Sequence, residues 1–431
     1  MRTGFDVVII GAGPAGSTAA ILLARAGWSV ALVEKQRFPR RKVCGECIAA
    51  SNLPLLGALG IGPDFDAQAG PELRRVALMR GTRSVVADLP PAHDPRHPWG
   101  RALGRETLDT LLLEQARAAG VAVLQPWSVL AVDGAPGDQR CEVRAIDESR
   151  GVHAMTLRAP VVIDAHGSWE PLPSSRQRRR LQRSGADLFA FKANFRGAAL
   201  AAGLLPVLAF EGGYGGIVVG DHGVTTLACC IRQDRLDACR RDAPGERAGD
   251  VVEALLKRVC RGVADALQGA QRDGPWLASG PLDPGVRLRA DDTLFRIGNA
   301  AGEAHPIIGE GISMAMQSAW LLAARLVAGE ARVRDAVWQL EARKDHAAEW
   351  RRHFAPRLRL AAAFAQAAMR PAAAASLQAL VARWPALMTH GARWGGKVRC
   401  APDPATIERL ASGLRASPAL VPEMPSASRA A

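Results

Sequence analysis

The stretch "DVVIIGAGPAGSTAAILLARAGWSVALVEK", residues 6–35, restricts the fold more than any other part of the chain. Val7 to Ile10 form a short apolar run of β-branched residues, the pattern of a buried parallel strand. Gly11-Ala12-Gly13-Pro14-Ala15-Gly16 follows at once, then a helix-like segment that Gly27 is placed to cap. "SVALVE" reads as a second strand ending at Glu34. Gly11 permits the tight turn, Gly13 lets backbone approach a pyrophosphate, and Gly16 lets the helix pack closely on the sheet. Pro14 suits the first helical turn, where its missing N–H has no partner to lose. The free N–H groups and the helix dipole then favour phosphate. An acid at the end of the second strand accepts hydrogen bonds from a ribose hydroxyl, so Glu34 fits NAD or the adenosine half of FAD.

A second glycine-rich element lies far along the chain. In "LFRIGNAAGEAHPIIGEGISMAMQSAWLLAARL", residues 294–326, a strand leads through Gly298, Gly302, Gly309 and Gly311 into a helix with apolar residues at helical spacing. Such a turn could hold another part of the same cofactor. Between the two elements sits "RFPRRKVCGEC", in which Cys44 and Cys47 are separated by two residues. Taken alone, this CxxC is a redox dithiol, half of a zinc site, or a loop lying against something else.

These segments occur in a recognisable order. The GxGPAG turn, the "FPRRKVCGE" loop, the "GRETLDTLLLEQARAAGV" helix and "GNAAGEAHPIIGEGI" together resemble the FAD-dependent oxidoreductases of the para-hydroxybenzoate-hydroxylase fold. Within that fold they look most like the geranylgeranyl-reductase and polyketide-tailoring monooxygenase branch. The resemblance covers roughly residues 5–330. It implies a discontinuous α/β Rossmann-type FAD-binding domain, an antiparallel β-rich substrate domain and a C-terminal helical segment. It also implies that Cys44 and Gly45 lie beside the isoalloxazine ring, with Arg41 and Lys42 as a basic flank. Arg105 matches an arginine that contacts the FAD phosphates. Gly298, Asn299, Gly309, Gly311 and Ile312 match the distal contacts, and Ala15 and Lys35 fall among the cofactor-binding positions. His305 sits where the family's chain passes the reactive face of the flavin, and it and Cys44 are the catalytic candidates. A dithiol of the disulfide-reductase kind would need a second nucleotide motif, which is lacking, and no further CxxC or His cluster completes a zinc site.

Two positions depart from the family pattern. Asn299 stands where an aspartate is usual, and an amide can still make that hydrogen bond. His166-Gly167 replaces an Asp-Gly pair associated with reduction by NAD(P)H, which is nevertheless the expected electron donor; Asp164 is nearby but out of register. Residues 186–232 read as strands split by glycine-rich turns, with 74–89 adding a hairpin. Lys192 and the single tyrosine, Tyr214, are candidate substrate-lining residues. "GGYGGIVV" lacks the YxWxFP of the reductases, and the WxWxIP of tryptophan halogenases is also missing, which argues against both chemistries.

The expected division is FAD-binding at 1–73, 100–172 and 281–330, substrate domain at 74–99 and 173–280, a helical cap at 331–400 and a flexible tail at 401–431. Eight cysteines at irregular spacing suit a reducing cytoplasm rather than a disulfide scaffold. No signal peptide is read at the N-terminus, and the run at 198–210 is too short to cross a bilayer. The net charge of +13 comes without a nucleic-acid motif. Trp384 and Trp394 among basic residues leave two readings, a helix packed over the pocket or peripheral contact with the inner membrane face. The expected function is FAD-dependent oxidation of a hydrophobic aromatic or polyketide-like molecule. A C=C reductase or dehydrogenase is the alternative enzyme, and a non-catalytic flavin-binding protein the alternative of another class. Oligomeric state is not legible.

Overall fold

The computed structural model describes residues 2–147, 151–168, 184–289 and 292–394. The tail expected at 401–431 lies outside the described residues.

A five-stranded parallel sheet runs Phe295–Arg296, Val161–Asp164, Val7–Ile10, Val30–Val33, Ala122–Leu124. Strands from distant parts of the chain thus make one sheet, the discontinuous α/β domain expected. Val7–Ile10 is buried along its whole length because both faces of the sheet are covered. The helices Pro14–Arg25, Arg105–Ala118 and Gly311–Ala328 pack together on one face, over a core that includes Ile21, Leu112 and Trp320. On the other face lies the antiparallel meander Ser128–Ala135, Asp138–Asp147, Gly151–Ala159, with Cys141 and Leu157 buried beneath it. Gly311–Ala328 is long and apolar enough to cross a membrane (mean hydropathy 1.2), yet 72% of it is buried inside the protein. It is a core helix.

The large sheet has eight strands. Its centre is Leu188–Arg196, Thr225–Arg232, Gly213–Val219 and Leu204–Phe210, paired antiparallel. Arg75–Arg80 joins Leu204–Phe210 in parallel and folds back through a tight turn into Arg83–Asp88. One face of this sheet is closed by the helices Gln233–Asp242, Ala248–Val259 and Arg261–Ala266. The other face carries Leu78, Leu188, Ala209 and Tyr214, and is covered by Ala336–Met369 and Pro371–Arg383. Asp335 caps the first of these helices by accepting from the N–H groups of Val337 and Trp338.

Candidate active site

In the parallel sheet, chain order reverses beside Val7–Ile10, whose neighbours lead away in opposite directions. The crevice beyond the carboxyl ends of such strands is where this architecture binds ligands. The sequence builds it tightly. A Cβ at Gly16 would lie 1.8 Å from the Gly11 carbonyl oxygen. No other residue fits this turn without moving it. The distal motif closes on the same point: Gly298 has φ +59°, and a Cβ there would sit 2.9 Å from Ala15 Cβ. Two segments nearly three hundred residues apart therefore meet at one helix N-terminus.

No side chain caps the helix that starts at Pro14, so its first N–H groups are free to meet an anion. Glu34 is buried, its Oε2 accepting from Ala12 N at 2.9 Å and its Oε1 from Gln36 N at 2.9 Å. Arg105 holds Asp109 in a two-pronged pair, Nε to Oδ1 at 2.8 Å and Nη2 to Oδ2 at 2.7 Å. Burial alone would lower the guanidinium's pKa, but the Asp109 carboxylate outweighs it and raises it. Arg40 reaches both acids, at 3.8 Å from Glu34 and 3.6 Å from Asp109. Lys42 stands beside them with its pKa lowered to about 8, first by burial and then by the Arg105 and Arg40 guanidiniums.

Three cations thus share two carboxylates, and the one under greatest pressure is a lysine crowded by like charge. A diphosphate at the helix N-terminus would relieve that pressure. The open side of Gly13, where a Cβ would meet only Arg105 Nη2 at 3.7 Å, leaves the approach clear. The residues fit FAD.

Arg41 does not join this cluster. It points outward to Glu106, Nε to Oε2 at 3.2 Å, and to the Asp273 carbonyl at 2.7 Å. Successive side chains of an extended loop leave on opposite sides, so Arg40 and Lys42 face the crevice while Arg41 faces away. Lys35 and Gly45 are exposed. Asn299 donates from Nδ2 to Ser168 Oγ at 2.7 Å, while Gly311 and Ile312 open the buried distal helix and Gly309 sits in a left-handed turn before it.

The CxxC is no disulfide. Cys44 and Cys47 are both free thiols, with Cys47 buried in a short strand pair. Cys44 Sγ is half-buried, accepts from Glu46 N at 3.3 Å and adjoins the Arg105 guanidinium. The next residue but one proves more connected. Glu46 is buried with φ +59°, a left-handed backbone that costs a side-chain-bearing residue roughly 1–3 kcal/mol. Its Oε1 takes the Lys192 ammonium and the Arg105 backbone N–H (3.0 Å), and its Oε2 accepts from Thr226 Oγ1 at 2.5 Å. Lys192, expected to line a substrate cavity, is held in this buried pair. It reaches 3% exposure because a desolvated carboxylate lies opposite.

Tyr214 is also buried. Its hydroxyl shares a hydrogen bond with His305 Nδ1 at 3.0 Å and adjoins the Cys230 thiol. Burial, then Cys230, raises the tyrosine pKa well above its ordinary value, and burial lowers that of His305. Burial therefore favours the neutral imidazole. Nearby, Glu303 binds Arg287 at 2.6 Å and Ser168 at 3.0 Å, and burial raises its pKa. His166 leans tightly on Asp164. Among the described residues no His, Cys, Asp and Glu cluster could hold a metal. A surface groove of about 500 Å³ lies apart from this site, at Thr82, Lys257 and Arg261. Its Lys257 and Arg261 are already paired with Glu253 and Asp265.

Comparison with known proteins finds similar chains. Residues 4–196 match the family described as the FAD binding domain. Over 345 residues the chain is 25% identical to tryptophan 2-halogenase from Chondromyces crocatus, covering 75% of this chain and 62% of that enzyme. It spans 62% and 63% of the lengths of the first two curated relatives it matches. The structure of the myxobacterial chondrochloren halogenase CndH superposes with a TM-score of 0.71 at 18% identity, covering 96% of this chain and 98% of that one. PqsL of Pseudomonas aeruginosa, solved with 2-aminobenzoylacetate, gives 0.63 at 20% identity, with 86% and 99% covered.

Residues 4–196 are thus similar to the FAD binding domain family, and the chain has the fold of the solved FAD-dependent halogenases and of PqsL. These matches do not carry the geranylgeranyl-reductase branch. Nor does the missing WxWxIP signature remove the chain from the halogenases' structural class.

Proposed function

We propose that this chain is an FAD-dependent monooxygenase acting on a hydrophobic aromatic or polyketide-like small molecule, with NAD(P)H as electron donor. One observation carries the reading: the loop before Cys44 and the loop after His305 both press onto the same apolar sheet face. Val43 and Ile307 pack with Leu78, Leu188, Ala209 and Tyr214, under the lid helices that supply Ala365 and Met369. A flavin held between those loops would look onto an apolar wall.

When bound, FAD supplies the reaction of reduced flavin with oxygen, and the protein orients and shields it. Glu34 would hold the adenosine ribose, and Arg40, Lys42, Arg105 and the helix N-terminus the diphosphate. Glu46 fixes the loop carrying Cys44 to the large sheet, so the spacing between cofactor and wall is set by buried bonds. In this reading Tyr214 donates to His305 Nδ1, which leaves an N–H at Nε2. On an otherwise apolar face this donor would orient one polar group of a substrate, such as a phenol oxygen.

Halogenation is the second reading, favoured by the halogenases among the relatives. The absent WxWxIP signature favours oxygenation. Incubating the FAD-loaded protein with NADH or NADPH, chloride, isotopically heavy oxygen and a panel of alkylphenols separates the two. Products carrying one heavy oxygen atom support monooxygenation. Products with a chlorine isotope pattern and no heavy oxygen refute it.

A further inference from the structure

The lid helices have an outer side as well as an inner one. Pro371–Arg383 and Ala386–Trp394 bury Ala374, Val381 and part of Met388 against the sheet. Their other side leaves large apolar groups in water: Leu380 at 43% exposure, Trp384 at 53%, Leu387 at 42% and Trp394 at 71%. Two exposed indoles and two leucines within fifteen residues form the main apolar concentration on the described surface, and the adjoining strand adds Val86.

The surrounding charge is mainly positive. From Glu349 to Asp403 the sequence contains no Asp or Glu between them. Arg370, Arg383 and Arg393 are exposed there. The Arg383 guanidinium lies over the Trp384 ring, 5.5 Å from its centroid. The hairpin turn beside the helices brings Arg80 and Arg83, whose carbonyls both accept from Gln378 Nε2 at 3.3 Å. Asp88 borders the face, its carbonyl accepting from Thr389 Oγ1.

We infer that the outer side of these two helices docks on an anionic lipid surface, with Trp384 and Trp394 as interfacial anchors and Arg383 and Arg393 among the headgroups. Indoles sit well at the boundary between headgroup and acyl chain, and guanidiniums reach up to phosphate from the same depth. The positive field attracts an anionic leaflet, and apolar burial supplies the remaining affinity. A lipid surface suits this face better than an acidic protein does. Exposed arginines stand beside exposed indoles along one stretch of chain, the pairing of residue types that suits the headgroup boundary. The same helices bury Ala374 and Val381 in the apolar cluster that also holds Leu78 and Tyr214, so a docked lid would stand between bilayer and apolar wall. The inference does not depend on the reaction proposed above.

The test uses the full chain loaded with FAD and sedimented with vesicles of phosphatidylcholine alone or mixed with phosphatidylglycerol. Binding is expected to the mixed vesicles only, with a blue shift of tryptophan emission, and to weaken at high salt. Arg383→Glu with Arg393→Glu should reduce binding by roughly fivefold or more for each arginine. Trp384→Ala with Trp394→Ala should abolish the blue shift while FAD content stays unchanged. Absence of binding to mixed vesicles overturns the inference. If the protein is then a dimer that the tryptophan variant dissociates, the face belongs to a second copy. Binding to both vesicle types alike, unmoved by the arginine reversals, overturns it equally.

Discussion

Replacing Lys192 by methionine tests whether the buried Glu46 pair ties the loop carrying Cys44 to the large sheet. Both side chains are 3% exposed, so the variant leaves a carboxylate in the interior without its counter-ion. Breaking such a pair costs about 3–5 kcal/mol. Glu46 keeps the Thr226 hydroxyl and the Arg105 N–H, which places the loss at the lower end, about 3 kcal/mol. An unfolding entropy of about 2.1 cal/mol/K per residue gives roughly 0.9 kcal/mol/K for a chain of this length, so Tm should fall by about 3–4 °C. Glu46→Gln should cost a similar amount. The double variant Lys192→Met, Glu46→Gln removes both charges and should recover at least about 1.5 kcal/mol relative to the sum of the singles. Scanning calorimetry on the four proteins measures this. Strict additivity, or a Lys192→Met protein as stable as the wild type, would refute the claim that the pair is coupled.

Four further outcomes follow from the same geometry. Gly16→Ala should prevent FAD retention, since its Cβ would meet the Gly11 carbonyl at 1.8 Å, and the absorbance of the purified variant reports this directly. Lys42 has a folded-state pKa of about 8 against an ordinary 10.5, so between those values the unfolded chain binds more protons and apoprotein stability rises with pH. A bound diphosphate would favour the charged lysine, so FAD affinity should fall as pH rises through about 8, and Lys42→Met should flatten that profile in a fluorescence titration. His346, buried with a pKa lowered to about 4, must stay neutral in the fold, so stability should fall as pH drops from 6.5 towards 4, by up to about 1.4 kcal/mol per pH unit; denaturant titrations of wild type and His346→Gln check the slope. Tyr214→Phe removes the hydroxyl that bonds His305 Nδ1 and should cost about 1 kcal/mol, with nitrogen NMR of labelled histidine showing a shift in the ring's tautomer balance.

What the sequence made legible was local. The turn at Gly11–Gly16, Glu34 at the second strand end and the distal glycines are each specified by neighbours a few residues away, and the fold class follows from their order. The buried charges were a different matter. Glu46 reads as one more polar residue in "CGEC" until tertiary pairing sets Lys192 and Thr226 against it, from strands far along the chain. Its left-handed backbone has no sequence signal, because glycine rather than glutamate marks such positions. The inward turn of Arg40 and Lys42 around an outward Arg41 depends on which way an irregular loop faces. Tyr214 and His305 carry no mutual signal either, and they meet only because the distal loop crosses the large sheet.

The central claim is that the crevice between Gly11–Gly16, Glu34 and Gly298–Ile312 holds FAD. The most direct measurement is the absorption spectrum of the purified protein, followed by titration of FAD into whatever fraction is empty. A two-banded flavin spectrum and saturable binding at one FAD per chain are expected. A colourless protein that takes up no added FAD would contradict it.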